Sequence, residues 1–106
     1  MEREEQIKIR NVFNDGCDEL SFVHIETDKS HFILYATVTK NGETHTEIYE
    51  LALEEGMIPE DIEPSGGGIF NLHTLNYERG SIHYGQADPE IIAAIERKLP
   101  DIVPCE

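Results

Sequence analysis

The sequence predicts an α+β domain over residues 1–106, in which a single mixed β-sheet of five to six strands packs with two α-helices. Three observations favour this class. Short apolar segments separated by turn residues fill the first third of the chain, and two later segments have the apolar spacing of helices. Strands and helices do not alternate regularly. One domain of this length can bury a sizeable core.

The first third of the chain predicts three strands. Apolar and polar residues alternate over residues 7–12, and apolar segments follow at residues 20–25 and 32–39. Turn-forming residues at 14–16 and 28–30 separate these segments. We therefore expect an antiparallel meander. The third segment is almost continuously apolar, which predicts a central position in the sheet.

A helix is predicted next, over residues 44–55. Thr44 and Glu47 have the spacing of a capping box, and apolar residues then recur on one face. This interpretation puts His45 in the first turn of the helix. The alternative is a hairpin, because Asn41-Gly42 is a strong type I′ turn sequence, and His45 would then be an exposed strand residue.

Two further strands are predicted in the second half of the chain. Apolar residues indicate a fourth strand over residues 66–72. We expect a turn over residues 76–80 and a fifth strand over residues 81–84 that pairs with the fourth.

The last helix has clear boundaries in the sequence. Asp88 is a good N-cap, Pro89 suits the first helical position, and Pro100 is expected to stop the helix. Residues 102–103 would add a short edge strand. The apolar stripe that we expect to be buried consists of Ile91, Ile92, Ile95 and Leu99.

The charge balance is strongly acidic. The chain has 22 Asp and Glu residues against 8 Lys and Arg, a formal net charge of −14. Such a surface repels nucleic acids and anionic membranes, because both bind through cationic side chains. The sequence has no apolar segment of membrane-spanning length and no signal-peptide core, so we expect a cytoplasmic protein with Cys17 and Cys105 reduced.

His45 is the candidate catalytic residue. Free N–H groups and the dipole at a helix N-terminus favour anions and disfavour an imidazolium, so we expect a neutral His45 that can act as a nucleophile. A glycine run beside it would add backbone donors, and Gly66, Gly67 and Gly68 form such a run. The alternatives are a surface histidine without a role and a glycine run that only bends a strand.

A metal site is less well supported by the sequence. His45, His73 and His83 can be combined into a three-histidine site, but no His-x-His or His-x-x-x-His pair supports it. No metal ligands and no cofactor are therefore predicted. We interpret His24, which lies in an apolar strand, as structural and His31 as a surface residue.

The order of four segments resembles the Janus/Ocnus family of phosphohistidine phosphatases. The resemblance covers residues 43–103 or so, and it depends on the order and spacing of short motifs. These motifs are His45-Thr46-Glu47-Ile48-Tyr49 at a helix start, Gly66-Gly67-Gly68-Ile69, Ile82-His83-Tyr84-Gly85, and an amphipathic helix that ends in Lys98-Leu99-Pro100-Asp101.

The resemblance implies one mixed sheet flanked by two helices, and a metal-independent phosphatase without a cofactor that acts on phosphohistidine or other phosphoramidates. His45 matches the family's catalytic histidine, which would attack phosphorus or activate water. The implied partner is a phosphorylated protein or a small phosphoramidate. The implied phosphate-binding residues are Gly66, Gly67, Gly68, Gly85, Gln86 and Ala87.

Two features differ from the family. Gly85-Gln86-Ala87 leads almost directly into the last helix, where the family has a longer loop, and residues 17–20 are acidic where the family has a basic residue on an early strand. A cation would have to come from Lys8, Arg10 or Arg79, because developing phosphoryl charge needs electrostatic stabilisation. The alternative function is a non-enzymatic acidic module that binds a basic protein partner or a divalent cation.

Overall fold

The computed structural model describes residues 7–27, 30–39, 45–58, 62–80 and 84–102. These residues form one five-stranded mixed sheet with two helices, so the predicted α+β class is confirmed. In chain order the elements are β1 (Ile7–Asn14), β2 (Glu19–Glu26), β3 (His31–Val38), α1 (His45–Glu54), β4 (Gly66–Asn71), β5 (Asn76–Gly80) and α2 (Pro89–Ile102).

The strands lie in the order β1-β3-β2-β4-β5. β3 pairs antiparallel with β2 and parallel with β1, so the predicted antiparallel meander is wrong at β1. Hydrogen bonds hold the end of β1 against β3: the N–H groups of Asp15 and Gly16 donate to Thr37 O at 2.6 and 3.1 Å. Thr37 Oγ1 also donates to Asn14 Oδ1 at 2.9 Å. The apolar run of β3 lies inside the sheet, as predicted.

One helix covers each face of the sheet. Successive side chains of β2 point to opposite faces, so Leu20 and Phe22 pack towards α2 whereas Val23 and Ile25 pack towards α1. The α1 side of the core contains Val23, Ile25, Leu34, Ala36, Val38, Ile48, Ala52 and Ile58. The α2 side contains Leu20, Phe22, Ile33, Phe70, Leu72, Ala87, Ile91, Ala94, Ile95 and Leu99.

The helical interpretation of the segment after residue 44 is confirmed. α1 begins at His45 and buries Ile48 and Ala52 against the sheet. The alternative hairpin strand is therefore wrong over the first turns of α1. Thr44, the predicted cap, and Asn41-Gly42 lie outside the described residues.

The fifth strand lies earlier than predicted. Residues 76–80, for which a turn was expected, form β5 and pair antiparallel with β4. Asn71 Oδ1 defines the actual turn, because it accepts hydrogen bonds from the N–H groups of His73 and Thr74 at 2.7 and 3.0 Å. Leu75 completes it with a left-handed φ of 62°. Of the predicted strand 81–84, residues 81–83 lie outside the described residues, and residue 84 is in a turn.

The second helix matches its prediction except at its end. Its buried residues are Ile91, Ala94, Ile95 and Leu99, while Ile92 is only partly buried. Pro100 does not stop α2, which continues to Ile102. Ile102 packs against the α2 side of the core, and this burial offsets the hydrogen bond that proline cannot donate. The predicted edge strand is therefore wrong at Ile102, and Val103 lies outside the described residues.

Candidate functional site

The structure brings His45 into contact with the glycine strand. His45 is the first residue of α1, its side chain is fully buried, and its Nε2 lies 3.0 Å from the carbonyl oxygen of Gly68 on β4. A carbonyl oxygen only accepts, so Nε2 carries the hydrogen in this contact. In a neutral imidazole the lone pair is then on Nδ1. The contact fixes the orientation and the tautomer of the ring.

The glycine run is a strand that crosses another segment at very short distance. Gly66 has no room for a side chain, because a Cβ atom there would lie 2.7 Å from the carbonyl oxygen of Gln86. The N–H group of Gly67 donates to Gly85 O at 3.0 Å, and Gly67 forms a parallel bridge with Gln86. The glycine run therefore does more than bend a strand, because it also allows the backbone of residues 85–87 to lie very close to β4.

All six residues implied as phosphate-binding, together with His45, thus lie around β4. We call this group the His45 site; it comprises His45, residues 66–68 and residues 85–87. Gly66, Gly67, Gly68 and Ala87 are buried, whereas Gly85 and Gln86 are exposed. Gly85 has a positive φ of 84°, a conformation that glycine adopts without strain.

An aromatic contact joins this segment to α1. The rings of Tyr49 on α1 and Tyr84 meet edge to face, with centroids 6.3 Å apart. Burial raises the pKa of Tyr84, and Tyr49, Glu50 and Glu63 raise it further. Tyr84 immediately precedes Gly85, so this contact helps to hold residues 85–87 beside the start of β4.

The three candidate cations lie on the two edge strands of the sheet. Lys8 and Arg10 lie on β1, whereas Arg79 lies on β5, next to β4. Arg79 is paired across the strands with Ile69, the residue after Gly68. Its side chain is exposed, and Nη1 donates to Gly80 O at 3.2 Å. Of the three, Arg79 is the one whose strand adjoins the His45 site.

The acidic residues near the start of β2 lie away from the His45 site. Glu19 pairs with Asn71, and Phe22 pairs with Gly68. Three residues along a strand span about 10 Å, so the carboxylate of Glu19 is at the far end of β4 from the glycines. The neighbouring Asp18 contacts His73, whose Nε2 lies 3.1 Å from Asp18 Oδ1.

The three-histidine metal site receives no support from the described residues. His73 is exposed in the turn between β4 and β5 and contacts Asp18, whereas His45 is buried against Gly68. His83 lies outside the described residues.

Three side chains of residue types that can ligate a metal ion converge on strands β2 and β3. We call this group the His24 cluster; it comprises His24, Glu26 and His31, whose potential ligand atoms all lie within 4.8 Å of one another. His24 Nε2 and His31 Nδ1 are 2.9 Å apart, with one ring donating its hydrogen to the other. His24 is buried, His31 is partly buried and Glu26 is exposed.

The environment of His24 favours a neutral ring. Burial lowers the pKa of His24 below its ordinary value of 6.5, and the neighbouring His31 lowers it further. Asp88 and Glu26 act in the opposite direction without reversing the shift.

Sequence reasoning missed the His24 cluster because it treated each histidine alone. His24 and Glu26 are two positions apart on one strand, which puts both side chains on the same face. A short turn then brings His31 opposite Glu26. The alternation of side chains along β2, combined with the number of residues between β2 and β3, is the sequence pattern that indicates the cluster.

Cys17 is disulfide-bonded, so the expectation of reduced thiols is wrong at this residue. Cys105, the other cysteine of the chain, lies outside the described residues. Among the described helices, none has both the length and the apolar character that crossing a membrane requires.

Comparison with known proteins gives no match: neither a scan against protein-family models nor a search of curated proteins identifies a relative of this chain.

Proposed function

We propose that this domain is a phosphatase that acts, without a metal ion, on phosphohistidine or related phosphoramidates, with His45 as the reacting residue. The observation that carries the proposal is the assembly of His45 with the glycine strand and with residues 85–87. A histidine at a helix N-terminus, oriented by a backbone carbonyl, has the chemistry that phosphoryl transfer needs.

The reaction can be written with His45 as nucleophile. Nδ1 forms a bond to phosphorus, the P–N bond of the substrate breaks, and the leaving nitrogen takes a proton from solvent. Water then attacks phosphorus, the P–Nδ1 bond breaks, phosphate leaves, and one proton returns to solvent as the neutral imidazole is restored. In the alternative route, Nδ1 takes a proton from a water molecule that attacks phosphorus directly.

Both routes place positive charge on the His45 ring. The Gly68 carbonyl dipole already points at the opposite nitrogen, 3.0 Å away, and therefore stabilises this charge without rearrangement. The hydrogen bond also keeps Nδ1 as the nitrogen with the lone pair, which is the role of the orienting group in other histidine catalysts.

Access to His45 requires local opening. Its side chain is 0% exposed, so a phosphoryl group reaches Nδ1 only if part of the surrounding structure moves. Gly85 and Gln86 are the exposed members of the His45 site, and their displacement would break the hydrogen bond from the Gly67 N–H to Gly85 O.

Arg79 is the candidate to neutralise the transferred phosphoryl group. Its strand adjoins β4, and its pairing with Ile69 puts both residues on the face of the sheet opposite the Phe70 side chain, which is the face that α1 covers. In a chain with a net charge of −14, local cationic charge is needed to hold a phosphate.

Turnover of a phosphoramidate, followed by ³¹P NMR, tests this function. We expect His45→Gln to reduce the rate at least about 100-fold, because the residue loses its nucleophile and base. Glutamine is chosen because its side chain retains an N–H donor for the Gly68 carbonyl. The matched control is His73→Ala, an exposed histidine in a turn. Equal rates in wild type and His45→Gln would contradict the proposal.

The second candidate is a non-enzymatic acidic module that binds a basic protein partner. Two observations favour it: the full burial of His45 and the excess of acidic over basic residues, 22 against 8. Such a module tolerates the loss of His45 and binds its partner more weakly as salt concentration rises, since exposed charges are screened. Wild-type binding to a Lys-rich peptide at two ionic strengths, compared with His45→Gln, tests this candidate.

A further inference from the structure

The His24 cluster uses side chains other than His45, although His24 pairs with Gly66 of the His45 site in the β2–β4 ladder. Side chains two positions apart on a strand point to the same face, so His24 and Glu26 share a face of β2 with Leu20 and Phe22. This is the face that α2 covers. His45 belongs to α1, on the opposite face. The cluster combines two imidazoles and a carboxylate, so its chemistry differs from that of a phosphate site.

We propose that His24, Glu26 and His31 bind one Zn²⁺ ion, with the fourth coordination position open to solvent. Two histidines with one glutamate are a ligand set that zinc uses when it keeps an open position. The exposed Glu26 is the member that faces water, and the buried His24 anchors the site in the sheet.

The distances between the potential ligand atoms need only a small adjustment to match those around a zinc ion. A tetrahedral zinc ion with Zn–N bonds of about 2.0–2.1 Å holds its ligand atoms about 3.3–3.4 Å apart. The two ring nitrogens are now 2.9 Å apart, and no pair of ligand atoms exceeds 4.8 Å. Rotation of the His31 and Glu26 side chains therefore suffices, while the backbone of the hairpin stays in place.

A bound zinc ion would replace the hydrogen that the His24 and His31 rings share. For both nitrogens to bind zinc, His24 must carry its hydrogen on Nδ1 and His31 must carry its hydrogen on Nε2. Both rings stay neutral, so this step is a change of tautomer with no net loss of protons. Glu26 binds as a carboxylate.

The hairpin supplies a rigid support. Glu26 pairs with His31 and His24 pairs with Ile33 in the antiparallel ladder. His24 O also accepts a hydrogen bond from the N–H of Ser65 at 2.7 Å. Ligands on paired strands lose little freedom on binding a metal, which favours affinity.

The donor set selects the class of metal. Ca²⁺ and Mg²⁺ prefer oxygen ligands and are disfavoured by two imidazoles. Zn²⁺ and Cu²⁺ accept imidazole and carboxylate together, and Cu²⁺ is expected to bind the same residues in vitro because it generally binds more tightly. The acidic surface, with a net charge of −14, raises the local concentration of any divalent cation.

Zinc titration of the full 106-residue chain against a chromophoric chelator tests the proposal. We expect one saturable site in the wild type. His31→Ala and Glu26→Gln should each weaken the affinity, His31→Ala by more than about 100-fold, since even residues that only support a ligand contribute about 10–100-fold. The matched control is His73→Ala, which removes an exposed histidine outside the cluster and should leave the affinity unchanged.

Amide NMR spectra recorded with the titration verify that each variant is folded, and His31 and Glu26 are chosen because neither is fully buried. Long-range ¹⁵N spectra should show zinc-dependent shifts at His24 Nε2 and His31 Nδ1. The proposal is overturned if no saturable binding occurs, or if folded His31→Ala and Glu26→Gln bind zinc as the wild type does. His45→Gln should retain zinc binding, so failure of the phosphatase proposal and failure of this one are distinguishable.

Discussion

Substitution of Gly66 by alanine tests how tightly β4 passes residues 85–87. A Cβ atom on Gly66 would lie 2.7 Å from Gln86 O and 3.0 Å from Ala87 Cα, whereas ordinary contact begins at 3.4 Å. Both neighbouring atoms belong to the backbone and cannot rotate away. The strand or the crossing segment must therefore shift by several tenths of an ångström.

Overpacking of this kind costs about 1–3 kcal/mol of unfolding free energy. For a domain of about 100 residues, each kcal/mol corresponds to a Tm change of about 4–8 °C. We therefore expect Gly66→Ala to lower Tm by at least about 4 °C. The same shift should displace residues 85–87 and reduce phosphate binding at the His45 site.

Urea unfolding of wild type, Gly66→Ala and the control Ser65→Ala measures this effect. Ser65 precedes Gly66 and is exposed, so its substitution should change the unfolding free energy by less than about 0.5 kcal/mol. If Gly66→Ala is as stable as Ser65→Ala, the close crossing of β4 with residues 85–87 is refuted.

Two further predictions concern buried hydroxyl groups. Ser21 Oγ and Tyr77 Oη are buried without a hydrogen-bond partner among the described residues. Ser21→Ala should raise the unfolding free energy by about 1 kcal/mol, because it removes an unsatisfied polar atom; a loss of more than about 1 kcal/mol in urea unfolding would show that Ser21 has a partner. Burial raises the pKa of Tyr77 above its ordinary value of 10.0. The unfolded chain therefore loses this proton first, and stability falls as pH rises above about 10. Tyr77→Phe should remove that part of the alkaline loss, so its advantage in Tm over the wild type should increase above pH 10; an advantage that stays constant with pH would contradict this.

Local patterns predicted the helices well. Asp88, Pro89 and the apolar stripe of α2 act over a few residues, so the sequence contains the whole argument for that helix. The same holds for α1, whose buried face is formed by residues four apart. The predicted stop at Pro100 was wrong because Ile102, two residues further along α2, packs against the core, and this burial offsets the cost of the proline.

Pairing between distant strands was harder to predict. Residues 14–16 indicate that the chain turns, but they do not specify the strand beside which β1 will lie. The parallel pairing of β1 with β3 joins residues that are 23 or 24 positions apart, and hydrogen bonds to Thr37 extend this contact past the end of β1. The turn that precedes β5 is formed by Asn71, whose side chain and backbone oxygens accept hydrogen bonds from residues 73–75.

The candidate sites show the same difference between what local sequence patterns predict and what depends on distant segments. The motif order around His45 and the glycines predicted which residues lie together, and the contact between His45 and Gly68 agrees with that juxtaposition. The burial of His45 could not be predicted, because it depends on packing from several segments. The His24 cluster needed the register of a hairpin, which single residue positions do not give.

We predict that the His45 site binds phosphate, and a titration of the backbone amides with inorganic phosphate, monitored by NMR, measures this binding. We predict saturable chemical-shift changes centred on His45, residues 66–68 and residues 85–87, and their loss in His45→Gln. An absence of saturable shifts, or shifts centred on Lys8 and Arg10 at the opposite edge of the sheet, would contradict this prediction.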